Sequence, residues 1–162
     1  FTSPTVTKDS AYTFYLGEHD PVAKTIGPSV AQGVTVCFRS GTANPALEIT
    51  LVKDTGVIKH VVDPNSPKRI SNGANSAGIC GVDGDYGFSY VVPAADIGVD
   101  SKLMIVRVFY NSSKLIFSRV SDFPVQGKTV SSQATTQTGV SKKVVLFQSN
   151  PQIPPEFFST AF

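Results

Sequence analysis

Apolar residues along the chain recur at every second position or in short runs of Val, Ile, Phe and Tyr, and Gly, Pro, Asn and Asp punctuate the runs. No stretch keeps helical spacing for three turns, so the pattern predicts strands and turns throughout. Residues 12–16 predict a first strand. A loop over residues 17–28 follows, with Asp20-Pro21 and Gly27-Pro28 as breakers. Residues 34–39 predict the next strand, which carries Cys37. Leu47-Glu48-Ile49-Thr50-Leu51 alternates, with Leu47, Ile49 and Leu51 on one face and Glu48 and Thr50 on the other, the mark of a sheet wet on one side. Asp54-Thr55-Gly56 then turns the chain into residues 57–62, a β-hairpin in which Gly56 takes a positive φ.

Residues 63–78 form the longest predicted loop, and residues 86–92 a strand ended by Pro93 ahead of a polar loop. Residues 103–110 carry bulky groups on both faces, which predicts a central strand. Asn111-Ser112-Ser113 turns that strand into residues 114–120, predicted as a second hairpin. Residues 128–138 are almost wholly polar and predict a linker, 143–147 a compact strand, and 151–162 a Pro-rich arm with aromatic residues suited to docking. Many short strands without intervening helices define an all-β chain, an immunoglobulin- or fibronectin-III-like β-sandwich with an additional C-terminal strand and arm. An open barrel is the alternative. Residues 1–127 are expected to form the sandwich core, with 128–162 packed on the same domain. The absence of Trp rules out a standard antibody-type domain, whose core packs a Trp against its disulfide.

Charge narrows the partners. Fourteen Lys and Arg against twelve Asp and Glu give a net charge of +2, and the basic residues are scattered, so the electrostatic footprint of a nucleic-acid binder is missing. Charged residues are only 16% of the chain, a low share that suits an extracellular β protein. The chain starts at Phe1 and is expected to be a mature, secreted product; its longest apolar runs are far shorter than the roughly 20 residues of a membrane-spanning helix.

Two cysteines, Cys37 and Cys80, predict one disulfide in such a chain, and closing a loop of about 44 residues would restrict the unfolded state by roughly 4 kcal/mol. Asn111-Ser112-Ser113 is a glycosylation sequon at an expected exposed turn. No set of residues predicts catalysis. Asp54-Thr55-Gly56 is the tripeptide of aspartic proteases, but it is flanked by Lys53 and Val57 and reads as a hairpin turn. Glu18-His19-Asp20 lacks a second histidine at zinc-site spacing, and Asp83-Gly84-Asp85 supplies only a fragment of a calcium loop, so neither a metal nor a cofactor is expected. Of Tyr12, Tyr15, Tyr86, Tyr90 and Tyr110, most are expected to serve as core or cross-strand partners, and no subset defines a sugar platform.

Four places in the chain resemble one family. Phe1-Thr2-Ser3-Pro4-Thr5, the hairpin strand from Leu47 to Lys53, the strand leading into Val92-Pro93, and the closing strands ending in Phe123-Pro124-Val125 are similar to the domain of fungal cell-wall β-1,6-glucan assembly proteins (Kre9/Knh1 type) and related Ser/Thr-rich GPI-anchored proteins. The likeness spans residues 1–127 and implies an extracellular, wall-associated, non-catalytic protein. The expected function is therefore structural or adhesive, at a cell wall or cell surface, with wall polysaccharide or other copies of the chain as partner. Val144, Val145, Leu146 and Phe147 are the candidate assembly strand. A carbohydrate-binding, lectin-like module is the alternative.

Overall fold

The computed structural model describes residues 1–39, 43–70, 74, 80 and 86–154. Two antiparallel sheets carry the core. The first contains β1 (Ala11–Tyr15), β5 (Ala46–Lys53), β6 (Gly56–Val62) and β8 (Ser101–Phe109) in the order β1-β8-β5-β6. The second contains β4 (Val34–Phe38), β7 (Phe88–Val92) and β9 (Leu115–Ser118) in the order β7-β4-β9. A single-turn helix, α1 (Ala94–Ile97), follows Pro93, where a polar loop was expected.

The inner faces of the two sheets meet in one apolar cluster. Phe14 from β1, Leu47, Ile49 and Leu51 from β5, and Met104, Val106 and Val108 from β8 pack with Val34, Val36 and Phe38 from β4 and Leu115 and Phe117 from β9. Phe14 and Phe117 stack across the two sheets at 4.2 Å between ring centroids, and Phe123 stands edge-on to Phe14 at 4.8 Å. Such a two-layer packing of inward-facing residues defines a β-sandwich. The disulfide joins Cys37 in β4 to Cys80 and packs with Tyr86 and Ile116, so it pins the far end of the long loop to the second sheet.

β5 and β6 form the expected hairpin, with Lys53 opposite Gly56 and a φ of 145° at the glycine. β8 is central, paired on one side with β1 and on the other with β5. Three pairings, β4 with β7, β8 with β5 and β5 with β6, have counterparts in an immunoglobulin-type sandwich that carries a C′ strand. The outer places differ. β1 sits beside β8, where such a sandwich has its last strand, and β9 sits beside β4, where it has its first.

Four expectations need correction. Residues 17–28 are a ribbon of β2 (Gly17–Asp20) and β3 (Thr25–Ser29). Asp20 Oδ1 accepts from the N–H groups of Val22 and Ala23 and makes the turn, and Pro28, which has no N–H to give, lies in a strand paired on one side only. The turn at Asn111 does not close a hairpin: both edges of β8 are occupied, so the chain crosses to the second sheet and β9 pairs with β4. The outer face of the first sheet is not uniformly wet, since Thr13, Thr50, Leu103 and Ile105 are buried there. The predicted linker is itself a strand: β10 (Gly127–Thr135) pairs along its whole length with β11 (Ser141–Ser149), which contains Val144 to Phe147.

Candidate functional site

The β10–β11 hairpin stands apart from the sandwich. Every residue of β11 is exposed, and of β10 only Gly127 at the root is buried. Alternation along paired strands places Val130, Val144 and Leu146 on one face and Val145 and Phe147 on the other. All five are exposed by more than half. Scattered surface apolar residues are ordinary, but five together on a free two-stranded ribbon are not, and an isolated hairpin is only marginally stable in water. Its charges are Lys128, Lys142 and Lys143, with no acidic residue among them.

The root of the hairpin is fastened by two glutamines that bracket it in sequence. Gln126 accepts from Tyr15 N–H through Oε1 and donates from Nε2 to Tyr15 O, both at 2.9 Å. Gln152 repeats the arrangement two residues along β1, accepting from Thr13 N–H at 2.8 Å and donating to Thr13 O at 3.1 Å. Each primary amide thus copies a peptide unit of a neighbouring strand and satisfies the edge of β1 opposite β8. The Tyr15 hydroxyl donates to Pro151 O at 2.8 Å, and Ile153 N–H donates to Thr13 Oγ1 at 3.0 Å. The arm therefore docks on its own domain through residues 150–153; its remainder, 155–162, lies outside the described residues. The sequence reading missed both glutamines.

Their loss has a measurable cost. Gln126→Ala would leave the buried amide and carbonyl of Tyr15 without partners, at about 1–3 kcal/mol for each such group. A stability loss of about 2 kcal/mol or more in thermal unfolding is expected, with faster hydrogen exchange at the Tyr15 amide as the local signature.

A cleft of 740 Å³ opens between the hairpin root, the start of β1 and the segment before it. Phe1, Tyr12 and Phe147 supply its aromatic wall, Thr5, Ser10 and Gln152 are among its polar groups, and among the described residues no charged side chain lines it. Tyr12 is buried against Phe1, and burial pushes its hydroxyl up to about 12.

The other chemistry-bearing residues hold structure. Asp54 and Thr55 are the turn between β5 and β6, tied down where Asp54 N–H donates to Asp100 O and the Thr55 hydroxyl to Asp100 Oδ2. The Thr55 hydrogen bond, helped by Lys53, keeps the Asp100 carboxyl below its usual range. Tyr90 OH lies 3.1 Å from His60 Nδ1, and His60 Nε2 is 3.3 Å from Asp96 Oδ2, a close approach without hydrogen-bond geometry. This line joins β6 to β7 and α1; burial and then Asp96 push the Tyr90 hydroxyl upward, which disfavours the phenolate.

His19 lies on β2 beside Tyr15, and among the described residues no group of three His, Cys, Asp or Glu can hold a metal ion. Asp83-Gly84-Asp85 lies outside the described residues. Tyr12, Tyr15 and Tyr86 are buried as expected, whereas Tyr110 is exposed and carries the Arg69 guanidinium 3.9 Å above its ring. Asn111 falls on the turn between the sheets, where its Nδ2 donates to Ala43 O at 2.8 Å. No described helix is long and apolar enough to cross a membrane. No family model matches the chain, and neither do curated proteins or solved structures.

Proposed function

We propose that this chain is a non-enzymatic, extracellular structural or adhesive protein of a cell wall or cell surface that associates with copies of itself through the β10–β11 hairpin. The observation that carries this reading is the hairpin: nine paired residues on each strand, free of the sandwich, with Val130, Val144, Val145, Leu146 and Phe147 in solvent. An element of that kind is marginal alone and gains burial and strand partners on contact. The disulfide supports an oxidising, extracellular setting. The resemblance in sequence to fungal wall glucan-assembly domains over residues 1–127 points the same way. Asn111, on the turn between the sheets, is the candidate glycan site, and its amide would keep one hydrogen after attachment, the number that the bond to Ala43 O requires.

Light scattering tests the assembly. The full chain is expected to grow in mass with concentration, whereas Val144→Lys with Leu146→Lys, both at exposed positions, is expected to remain monomeric at unchanged thermal stability. Equal, concentration-independent masses for the two proteins would remove this reading.

The uncharged cleft favours a second reading, a carbohydrate-binding module. The exposed Phe147 ring could stack on a sugar ring, and the Thr, Ser and Gln groups could bond to its hydroxyls. Retention on neutral wall glucans that is lost in Phe147→Ala would support it.

A further inference from the structure

The hydrogen-bond phase of the hairpin states which of its backbone groups have no partner among the described residues. Thr136 N–H donates to Val140 O at 2.9 Å, and Asn150 N–H donates to Gln126 O at 2.8 Å. These two bonds sit at opposite ends of one register, in which Gly127 faces Ser149 and Thr135 faces Ser141. Antiparallel pairs alternate between bonded and non-bonded, so even-numbered residues of β11 bond inward to β10. The N–H and C=O groups of Ser141, Lys143, Val145, Phe147 and Ser149 therefore point outward along the free edge of β11.

We propose that two copies of the chain join β11 to β11 in antiparallel order about a twofold axis at Val145, making a four-stranded sheet from two hairpins. This rests on the assembly reading above and specifies its geometry. Three features select the register. Val145 is the midpoint of Ser141–Ser149, so this alignment alone overlaps all nine residues. It sets outward-facing residues against outward-facing residues, Val145 on Val145 and Lys143 on Phe147, so every free edge group meets a partner. It also solves the charge problem. A hairpin with three lysines and no acid repels its own copy, yet here Lys142 stands opposite Gln148 and Lys143 opposite Phe147 of the second copy, with no lysine across from another. Centring the axis on Lys142 or Lys143 would put like charges face to face, an arrangement that destabilises strand pairs.

The side chains agree with the backbone. On one face Val144 meets Leu146 of the second copy, and with Val130 on each β10 they form a continuous apolar stripe across the joint. On the other face the Lys143 ammonium lies beside the Phe147 ring of the second copy, where a cation–π contact adds to the pairing. Edge strands are commonly blunted by lysine. In β11 both lysines lie on the side of the tip, which leaves residues 144–147 uncovered.

Cysteine cross-linking reads the axis directly, because the native cysteines are both in the disulfide and an introduced thiol is the only free one. In Val145→Cys the two copies of the residue would lie about 5.5 Å apart, within disulfide reach, whereas in Lys142→Cys they would be about 20 Å apart. At a concentration where the chain is associated, Val145→Cys is expected to form the disulfide-linked dimer at least about tenfold faster than Lys142→Cys. Val145→Pro removes an outward N–H and leaves the ladder to β10 intact, so it is expected to give a monomer whose β10 amides exchange at the rates of the dilute, unassociated wild type. A chain that associates but cross-links no faster at 145 than at 142, or a Val145→Pro protein that still associates, overturns this pairing and leaves assembly standing. A chain monomeric at every concentration overturns both.

Discussion

Asp63→Ala is expected to destabilise the protein by about 3–5 kcal/mol, the cost of removing one partner of a buried charge pair. The Asp63 carboxylate is fully buried at the end of β6, and Arg69 Nη2 donates to its Oδ1 at 2.8 Å. Oδ1 also accepts from Asn65 N–H, and Oδ2 from the N–H groups of Arg69 and Ile70. Arg69 in turn donates to Asn44 O and lies over the Tyr110 ring. A single carboxylate thus organises the first half of the long loop, and alanine would leave three amides and a guanidinium without it. Asp63→Asn should recover only part of the loss, because it keeps the size and some acceptor capacity without the charge. Denaturant titration with tryptophan-independent probes, such as circular dichroism, measures both.

The same residue sets an acid limit. Burial alone would raise the Asp63 pKa, but the Arg69 side chain and the backbone N–H groups of Asn65 and Arg69 outweigh it, and the carboxyl is held below its ordinary value. A carboxyl with a lowered native pKa contributes stability that is complete above its unfolded value of about 3.9 and is lost as pH falls through the native value. Acid unfolding of the wild type is therefore expected to steepen below about pH 4, and the difference between wild type and Asp63→Asn to shrink over that range.

The second large effect belongs to the stacked rings. Phe14→Ala should cost about 3–5 kcal/mol through lost burial and the cavity left between the sheets. Phe117→Ala should cost a similar amount, since both rings are fully buried and each contacts the other face to face. The two losses should not add. In a double-mutant cycle the coupling between them is expected to be about 1 kcal/mol, in the range of aromatic pairs beyond their area burial. Additive losses would mean that the two layers hold together independently of this contact.

Local chemistry made much of the sandwich legible. The alternation from Leu47 to Leu51 marked a face whose three apolar residues are fully buried, Asp54-Thr55-Gly56 marked a turn, and the bulky residues on both faces of β8, Leu103 to Val106 foremost, marked a central strand. What stayed hidden depends on distant partners. β10 carries no apolar period because both its faces are wet, so only its pairing with β11 makes it a strand. β9 looked like the return of a hairpin because nothing in residues 111–120 reports that β1 already holds the free edge of β8. Gln126 and Gln152 sit in polar, Pro-containing stretches that read as connectors, and their role exists only beside the β1 backbone. Asp63 left a faint signal, an acid starting a Pro-Asn turn with an arginine six positions on. A strand was legible at 143–147, but its partner strand and its exposure on both faces were not.

The paired glutamine clasps also give the hairpin a mechanical character. Gln126 and Gln152 lie in a row along β1, at Tyr15 and Thr13, and β1 is zipped through five residue pairs to the central strand β8. A pull on an associated hairpin enters the sandwich at these clasps. Tension directed along β1 loads both amides at once and passes in shear to β8, whereas tension directed away from the sheet opens them one after the other, so the joint would hold in one direction and yield in the other.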